Sequence, residues 1–141
     1  MRTFLILLVS AGLVTSIAHG DWTAQSYARA RGKHYEFLIT DSDISKSPVW
    51  KETDEYPPLG SRKAMKLARA ELARLLPDAK DWTLIGLTLM PWPGSEDQTH
   101  WLYDVRFVFH PPGAGGIPDE IHIPVLMSGA VGRAEVTPDQ K

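Results

Sequence analysis

Polar and apolar residues alternate along several stretches of the chain, which is the pattern of strands with one buried face. In KHYEFLIT, residues 33–40, one side carries Tyr35, Phe37 and Ile39. The longest alternation, residues 100–110, places five apolar side chains on one face: Trp101, Tyr103, Val105, Phe107 and Phe109. Shorter stretches predict three further strands, at residues 82–89, 120–127 and 130–136.

The periodicity is helical over residues 61–76. Ser61 is predicted to cap the first free amides of this helix, and Pro77 to stop it. At about 100° per residue, one arc is apolar and contains Ala64, Met65, Ala68, Leu72, Leu75 and Leu76. The opposite arc is basic and contains Arg62, Lys63, Lys66, Arg69 and Arg74, with Glu71 near its edge.

These elements predict an α+β fold, in which one amphipathic helix packs on a mostly antiparallel sheet of four or five strands. Residues 61–141 supply the helix and then an antiparallel meander. The core face of this meander consists of the apolar side chains of residues 100–110 together with Ile121, Ile123, Val125 and Met127. Residues 21–60 belong to the same domain as an N-terminal strand and a turn-rich surface arm. Residues 21–32 are predicted to be a loosely attached lead-in or a short helix.

The first twenty residues are typical of a secretory signal peptide. Arg2 precedes an apolar run over residues 4–14, and small residues then lead to Ala18-His19-Gly20. The run is too short to span a bilayer, which takes about 20 apolar residues. We therefore expect cleavage after Gly20, no membrane anchor after cleavage, and a secreted or periplasmic product.

Composition narrows the class of protein further. The 141 residues are 43% apolar, which suffices for a packed core and argues against a disordered chain. There are 15 basic and 17 acidic residues, a formal charge of −2, so no global positive field recruits nucleic acid. The chain has no cysteine and must fold without disulfides. No motif indicates a cofactor.

Three stretches of the chain resemble the PepSY-like family of exported bacterial domains. They are KAMKLARAEL at residues 63–72, YDVRFVF at 103–109, and EIHIPVLMSGAVGRAEV at 120–136. The last stretch departs from the family pattern at Met127, where an acidic residue often precedes the turn. The resemblance covers about half of the mature chain. It implies a non-enzymatic module of the kind associated with the regulation of secreted peptidases and with envelope interactions.

The first functional hypothesis is an exported interaction or regulatory module without catalysis, whose partner is another protein. Its candidate contact residues are Trp92, between two prolines in a turn, and the helix cations Arg62, Lys66 and Arg69. Each has a competing interpretation. Trp92 can fold back over the open end of the core. The cations can be neutralised by the acidic arm, residues 41–55, which carries a net charge of −3.

Two other classes of function remain open from the sequence. An envelope hydrolase or metal-assisted enzyme would assemble its site from His100, His110, His122 and acids of the sheet face. Alternation places His110 and His122 on the outer face of neighbouring strands, and we expect them opposite each other or one diagonal apart, as a candidate metal pair. A small-ligand carrier would instead need a pocket between the helix and the sheet.

Overall fold

The structure is a computed structural model, and it describes residues 22–93, 98–113 and 115–139. Its strands are β1 (Trp22–Ala30), β2 (Lys33–Thr40), β3 (Thr83–Pro91), β4 (Trp101–Phe109), β5 (Asp119–Leu126) and β6 (Arg133–Pro138). The helices are α1 (Asp41–Ser45) and α2 (Ser61–Leu75), followed by a single 3₁₀ turn at Ala79–Asp81. The predicted signal peptide lies outside the described residues.

The strands form one antiparallel sheet in the order β3-β4-β5-β1-β2-β6. The α+β class is confirmed, but the prediction of four or five strands is wrong because the described residues form a sheet of six strands. The additional strand is β1, in the segment predicted as a lead-in or short helix. It pairs with β2 through a two-residue turn, Arg31-Gly32, in which both residues have positive φ, 55° and 68°. Arginine rarely adopts this conformation, so the sequence carries little sign of the hairpin.

The predicted meander is correct from β3 to β5 and wrong at its last step. After β5 the chain returns along that strand, where the Leu126 N–H donates to the Ala130 carbonyl and the Gly132 N–H donates to the Pro124 carbonyl. The chain then leaves β5, and β6 pairs with β2, from Leu38↔Arg133 to Lys33↔Pro138. The last strand therefore forms the far edge of the sheet.

Helix α2 packs its predicted apolar arc on the sheet, with Ala64, Ala68 and Leu72 fully buried. The expected cap is wrong by one residue: Gly60 is the N-cap, without a side-chain hydrogen bond, and Ser61 is the first helical residue. The predicted core faces of β4 and β5 are confirmed. All nine of their side chains are buried in one cluster with the helix: Trp101, Tyr103, Val105, Phe107, Phe109, Ile121, Ile123, Val125 and Met127.

A second apolar cluster covers the end of the sheet where β4 begins and β5 ends. Leu102 and Leu126 are paired and alternate with the core residues, so they face away from α2. They pack with Ile39, Ile44, Trp92 and Met90. Ile44 belongs to α1, which starts with a capping box between Thr40 and Asp43. The acidic arm thus contributes a short helix that closes the outer face at this end.

Candidate functional site

A groove runs beside α2, between the helix and the edge strand β3. Its volume is about 350 Å³, and it is lined by Arg62, Met65, Lys66, Arg69, Leu84 and Phe107. The four helical positions have the spacing i, i+3, i+4, i+7, so they form one stripe next to the buried arc. Leu84 and Phe107 are cross-strand partners on β3 and β4 and form the floor. The groove therefore has an apolar floor under a wall that carries three cations.

Arg69 is fixed in place within this wall. Its Nη1 donates to the Trp82 carbonyl oxygen over 2.7 Å, and its guanidinium carbon lies 4.5 Å from the centre of the Phe107 ring. The hydrogen bond and the cation–π contact orient the charge over the groove floor. Arg69 therefore shapes the site as well as charging it.

Arg62 and Lys66 are exposed, and within the described part of the chain neither forms an ion pair with a carboxylate. Neutralisation by the acidic arm was the competing interpretation, and no ion pair between described residues joins the two segments. Asp43 instead caps α1, and Asp54 accepts a hydrogen bond from the Lys51 N–H. Two cations of the groove are therefore available to a ligand.

Trp92 lies in the second apolar cluster and is only 4% exposed. Its backbone N–H donates to the His100 carbonyl over 2.7 Å, which holds the chain close to the start of β4. The ring therefore packs over the end of the sheet, in the manner of the competing interpretation, and does not present a surface to a partner.

The structure does not bring His110 and His122 together. His122 pairs with Arg106, whereas His110 follows the end of β4 and is exposed. Since Phe109 pairs with Asp119, His110 lies at the level of Pro118, which is four residues from His122. Four residues along a strand correspond to about 13 Å. The pairing of β4 with β5 keeps their two predicted core faces on one side, but the register differs from the expected one, so the two rings cannot share a metal ion.

His122 lies instead in a polar network on the outer face of β4 and β5. Its Nδ1 is 2.8 Å from Oδ2 of Asp104, and its Nε2 is 2.9 Å from Oε1 of Glu120. Arg106 donates to the same Glu120 oxygen from Nε and Nη2, at 3.0 and 2.7 Å. Both ring nitrogens need a proton to donate to these carboxylates, so the network favours the imidazolium form.

The charges of this network shift two pKa values in opposite directions. The hydrogen bond to Asp104 raises the pKa of His122 above 6.5, against the effect of partial burial. The hydrogen bond from Arg106 lowers the pKa of Glu120 below 4.5. Because both ring nitrogens contact carboxylates, neither presents a free lone pair to a metal ion. Among the described residues, no group of three or more His, Asp or Glu side chains is arranged to hold one.

The remaining sites proposed from the sequence are dispersed. His100 precedes β4 and His110 follows it, so the nine-residue strand separates them by about 30 Å. The histidines of the described chain therefore do not converge on one centre.

The pocket that a small-ligand carrier would need between α2 and the sheet is filled by Ala64, Ala68 and Leu72. The groove opens beside the helix rather than beneath it.

Sequence reasoning missed the groove floor and the outer network. Alternation predicts Phe107 as a core residue, and it is 1% exposed. That its ring also borders a groove together with Leu84 depends on how far α2 reaches toward the sheet edge, which no local pattern encodes. The network left a clearer signal: Asp104, Arg106, Glu120 and His122 all occupy polar positions of alternating strands. Once two such strands are adjacent, these side chains share one face.

Comparisons of the chain with protein-family models, with curated proteins and with solved structures gave no match. Across the described residues, the helices are too short or too polar to cross a membrane. A function for this chain is therefore argued from the groove itself, its charge and its position at the sheet edge.

Proposed function

We propose that the chain is an exported, non-catalytic interaction module, and that its groove beside α2 binds an acidic segment of a partner protein. The observation that carries the proposal is the combination of exposed Arg62 and Lys66 with an apolar floor. An isolated surface cation is ordinary, but here two cations that form no ion pair with any described carboxylate flank a groove formed by Met65, Leu84 and Phe107.

The two parts of the groove have different roles in binding. Covering the exposed apolar part of the floor contributes to affinity, at about 25 cal/mol per Å² of apolar area removed from water. The cations favour acidic partners and orient them, since charge complementarity contributes more to specificity and association rate than to affinity. The chain as a whole carries a formal charge of −2, so the attraction is local to this groove.

Export is part of the proposal and rests on the pattern of residues 1–20, which lie outside the described residues. The resemblance to PepSY-like domains supports the same conclusion, because that family comprises exported modules associated with the regulation of secreted peptidases. On this basis we propose that the partner is another protein of the envelope or extracellular space.

Binding can be tested with a synthetic peptide of about eight residues that alternates glutamate and valine. We expect it to bind the mature chain, and to bind less tightly as salt is raised, because the attraction is screened. The Arg62→Glu, Lys66→Glu double variant is expected to weaken binding about tenfold or more, from the loss and reversal of two charge contacts. Fluorescence anisotropy or calorimetry measures both effects.

Lys63→Glu is the matched control. It makes the same charge reversal as each half of the double variant, on an exposed residue of the same helix, but Lys63 does not line the groove. We expect it to change the affinity by less than about threefold. Equal losses in both variants, or equal binding of a peptide that alternates lysine and valine, would overturn the proposed function.

A further inference from the structure

The two edges of the sheet differ in how they are protected against pairing with another chain. Edge strands are commonly guarded by charged side chains, proline, bulges or a covering element. The β6 edge carries Arg133, Glu135 and a terminal proline, Pro138. The β3 edge, TLIGLTLMP, contains no charged residue along its nine positions. Only the bulge between Leu84 and Gly86 and the terminal Pro91 interrupt it.

The outer side of β3 is also open. β4 pairs with one side of β3, and no other strand of the described chain pairs with the opposite side. Beyond the bulge the ladder with β4 is regular from Gly86↔Arg106 to Pro91↔Trp101, so this part of the edge is straight enough to be extended. Ile85, at the bulge, is 47% exposed although it is strongly apolar.

The open edge and the cationic groove belong to one surface. Leu84 lies on β3 and also forms part of the groove floor. A strand added next to β3 would place alternate side chains on the α2 side of the sheet. There they would approach Arg62, Lys66 and Met65. The side chains on the α2 side that lie opposite Arg62 to Arg69 would therefore meet a cation or an apolar contact.

We infer that the partner segment binds in an extended conformation, as a seventh strand added to β3, with acidic side chains directed toward the cations of α2. This inference rests on the proposed function and specifies the form of the partner. Backbone hydrogen bonds to β3 supply affinity for any extended chain, and the groove selects its side chains.

A second copy of the chain is the other natural occupant of an open edge. Antiparallel pairing of two β3 strands about a twofold axis would bring both α2 helices to the same face of the joined sheet. Their rows of cations, Arg62, Lys66 and Arg69, would then approach each other, and the described groove offers no carboxylate between them. Charge therefore favours an acidic segment of a different protein.

The test uses two backbone-methylated versions of the glutamate–valine peptide. In an added strand, successive residues direct their N–H groups alternately toward the neighbouring strand and toward solvent. N-methylation of all glutamates and N-methylation of all valines therefore remove opposite sets of donors. We expect one methylated peptide to lose at least about tenfold in affinity and the other to remain within about threefold of the unmodified peptide.

The outcomes separate the inference from the proposed function. If both methylated peptides bind as tightly as the parent, or lose equally, strand addition is overturned. The groove proposal then stands, provided that binding still depends on Arg62 and Lys66. If the unmodified peptide does not bind, both fall. A concentration-dependent dimer in light scattering, dissociated by the peptide, would overturn the choice of occupant.

Discussion

At the scale of single residues, His122 shows how a surface network links charge to stability. The pKa of His122 is raised in the folded chain, so its contribution is complete below about pH 6.5 and is lost as pH rises through the raised value. The pKa of Glu120 is lowered, so its contribution is complete above about pH 4.5 and is lost on acidification. Between these two values the network stabilises the fold most.

We predict that His122→Gln removes the loss of stability that the parent shows as pH is raised above about 6. In the parent, the free energy of unfolding in urea should fall as pH is raised from about 6 to 9, because the imidazolium loses its proton. The variant should be less stable than the parent by about 1 to 2 kcal/mol at pH 6, and the difference should shrink at pH 9. His110→Gln is the control, because that side chain is exposed. An unchanged pH slope in His122→Gln would contradict the network.

Gly132 is a second residue with a specific structural role. A Cβ atom at this position would lie 2.8 Å from Cγ of Pro124 and 3.4 Å from Cβ of Phe37. The proline ring is rigid and cannot move aside, so we predict that Gly132→Ala destabilises the fold by about 1 to 3 kcal/mol. Gly116→Ala, where no atom lies within 4 Å, should change stability by less than about 0.5 kcal/mol. Equal denaturation midpoints for the two variants would show that the space between Gly132, Pro124 and Phe37 has room for a methyl group.

At the scale of elements, the sequence predicts what a local pattern can encode. The phase of α2 and the core faces of β4 and β5 follow from one-sided burial, which leaves a period of 3.6 or 2 in the chain. Strand order is different, because β2 and β6 are about a hundred residues apart and nothing local marks them as partners. The prediction therefore captured the helix on a sheet and missed the crossover of the last strand.

The error at His110 has the same origin. Alternation determines register only in steps of two residues, because any even shift keeps the same faces buried. The choice among these registers is made by the connection after Phe109, which places Arg106 opposite His122. A pattern of side chains could therefore place both histidines on the outer face, but not at the same level. Likewise, a run of basic residues showed the cationic stripe of α2 but not whether acids would neutralise it.

The orientation of α2 can be tested by two substitutions on opposite faces of the helix. Leu72 is fully buried, so Leu72→Asp places an unpaired carboxylate in the core and should cost at least about 4 kcal/mol, a large part of a typical domain's stability. Lys66 is exposed, and Lys66→Glu should change stability by less than about 0.5 kcal/mol. Thermal melts compare the two. Similar shifts would mean that the helix packs on the sheet with a different face.

At the scale of the whole molecule, the chain has no cysteine, so its stability depends on packing rather than on disulfides. In the described part of the chain, twenty buried residues of the sheet, α2 and the segments beside it form one cluster, and a smaller cluster covers the opposite face. Large apolar side chains are exposed at five described positions, and one of these, Ile85, lies on the β3 edge; the others are Val49, Tyr56, Ile117 and Val136. The surface proposed to bind a partner is distinguished by a combination of features: an edge strand that no other described strand pairs with on its outer side, an adjacent groove with an apolar floor, and two exposed cations.

The proposed cleavage of a signal peptide must preserve this fold. β1 begins at Trp22, so cleavage after Gly20 would leave the whole strand and its pairing with β2 intact, whereas a later cut would remove paired residues. We therefore predict that the exported protein starts at Asp21, as determined by intact mass and N-terminal sequencing. Ala18→Arg should block cleavage, because signal peptidases need a small residue three positions before the cut, while His19→Arg should be processed normally. Export of an uncleaved parent chain, or cleavage within β1, would contradict the assignment of residues 1–20.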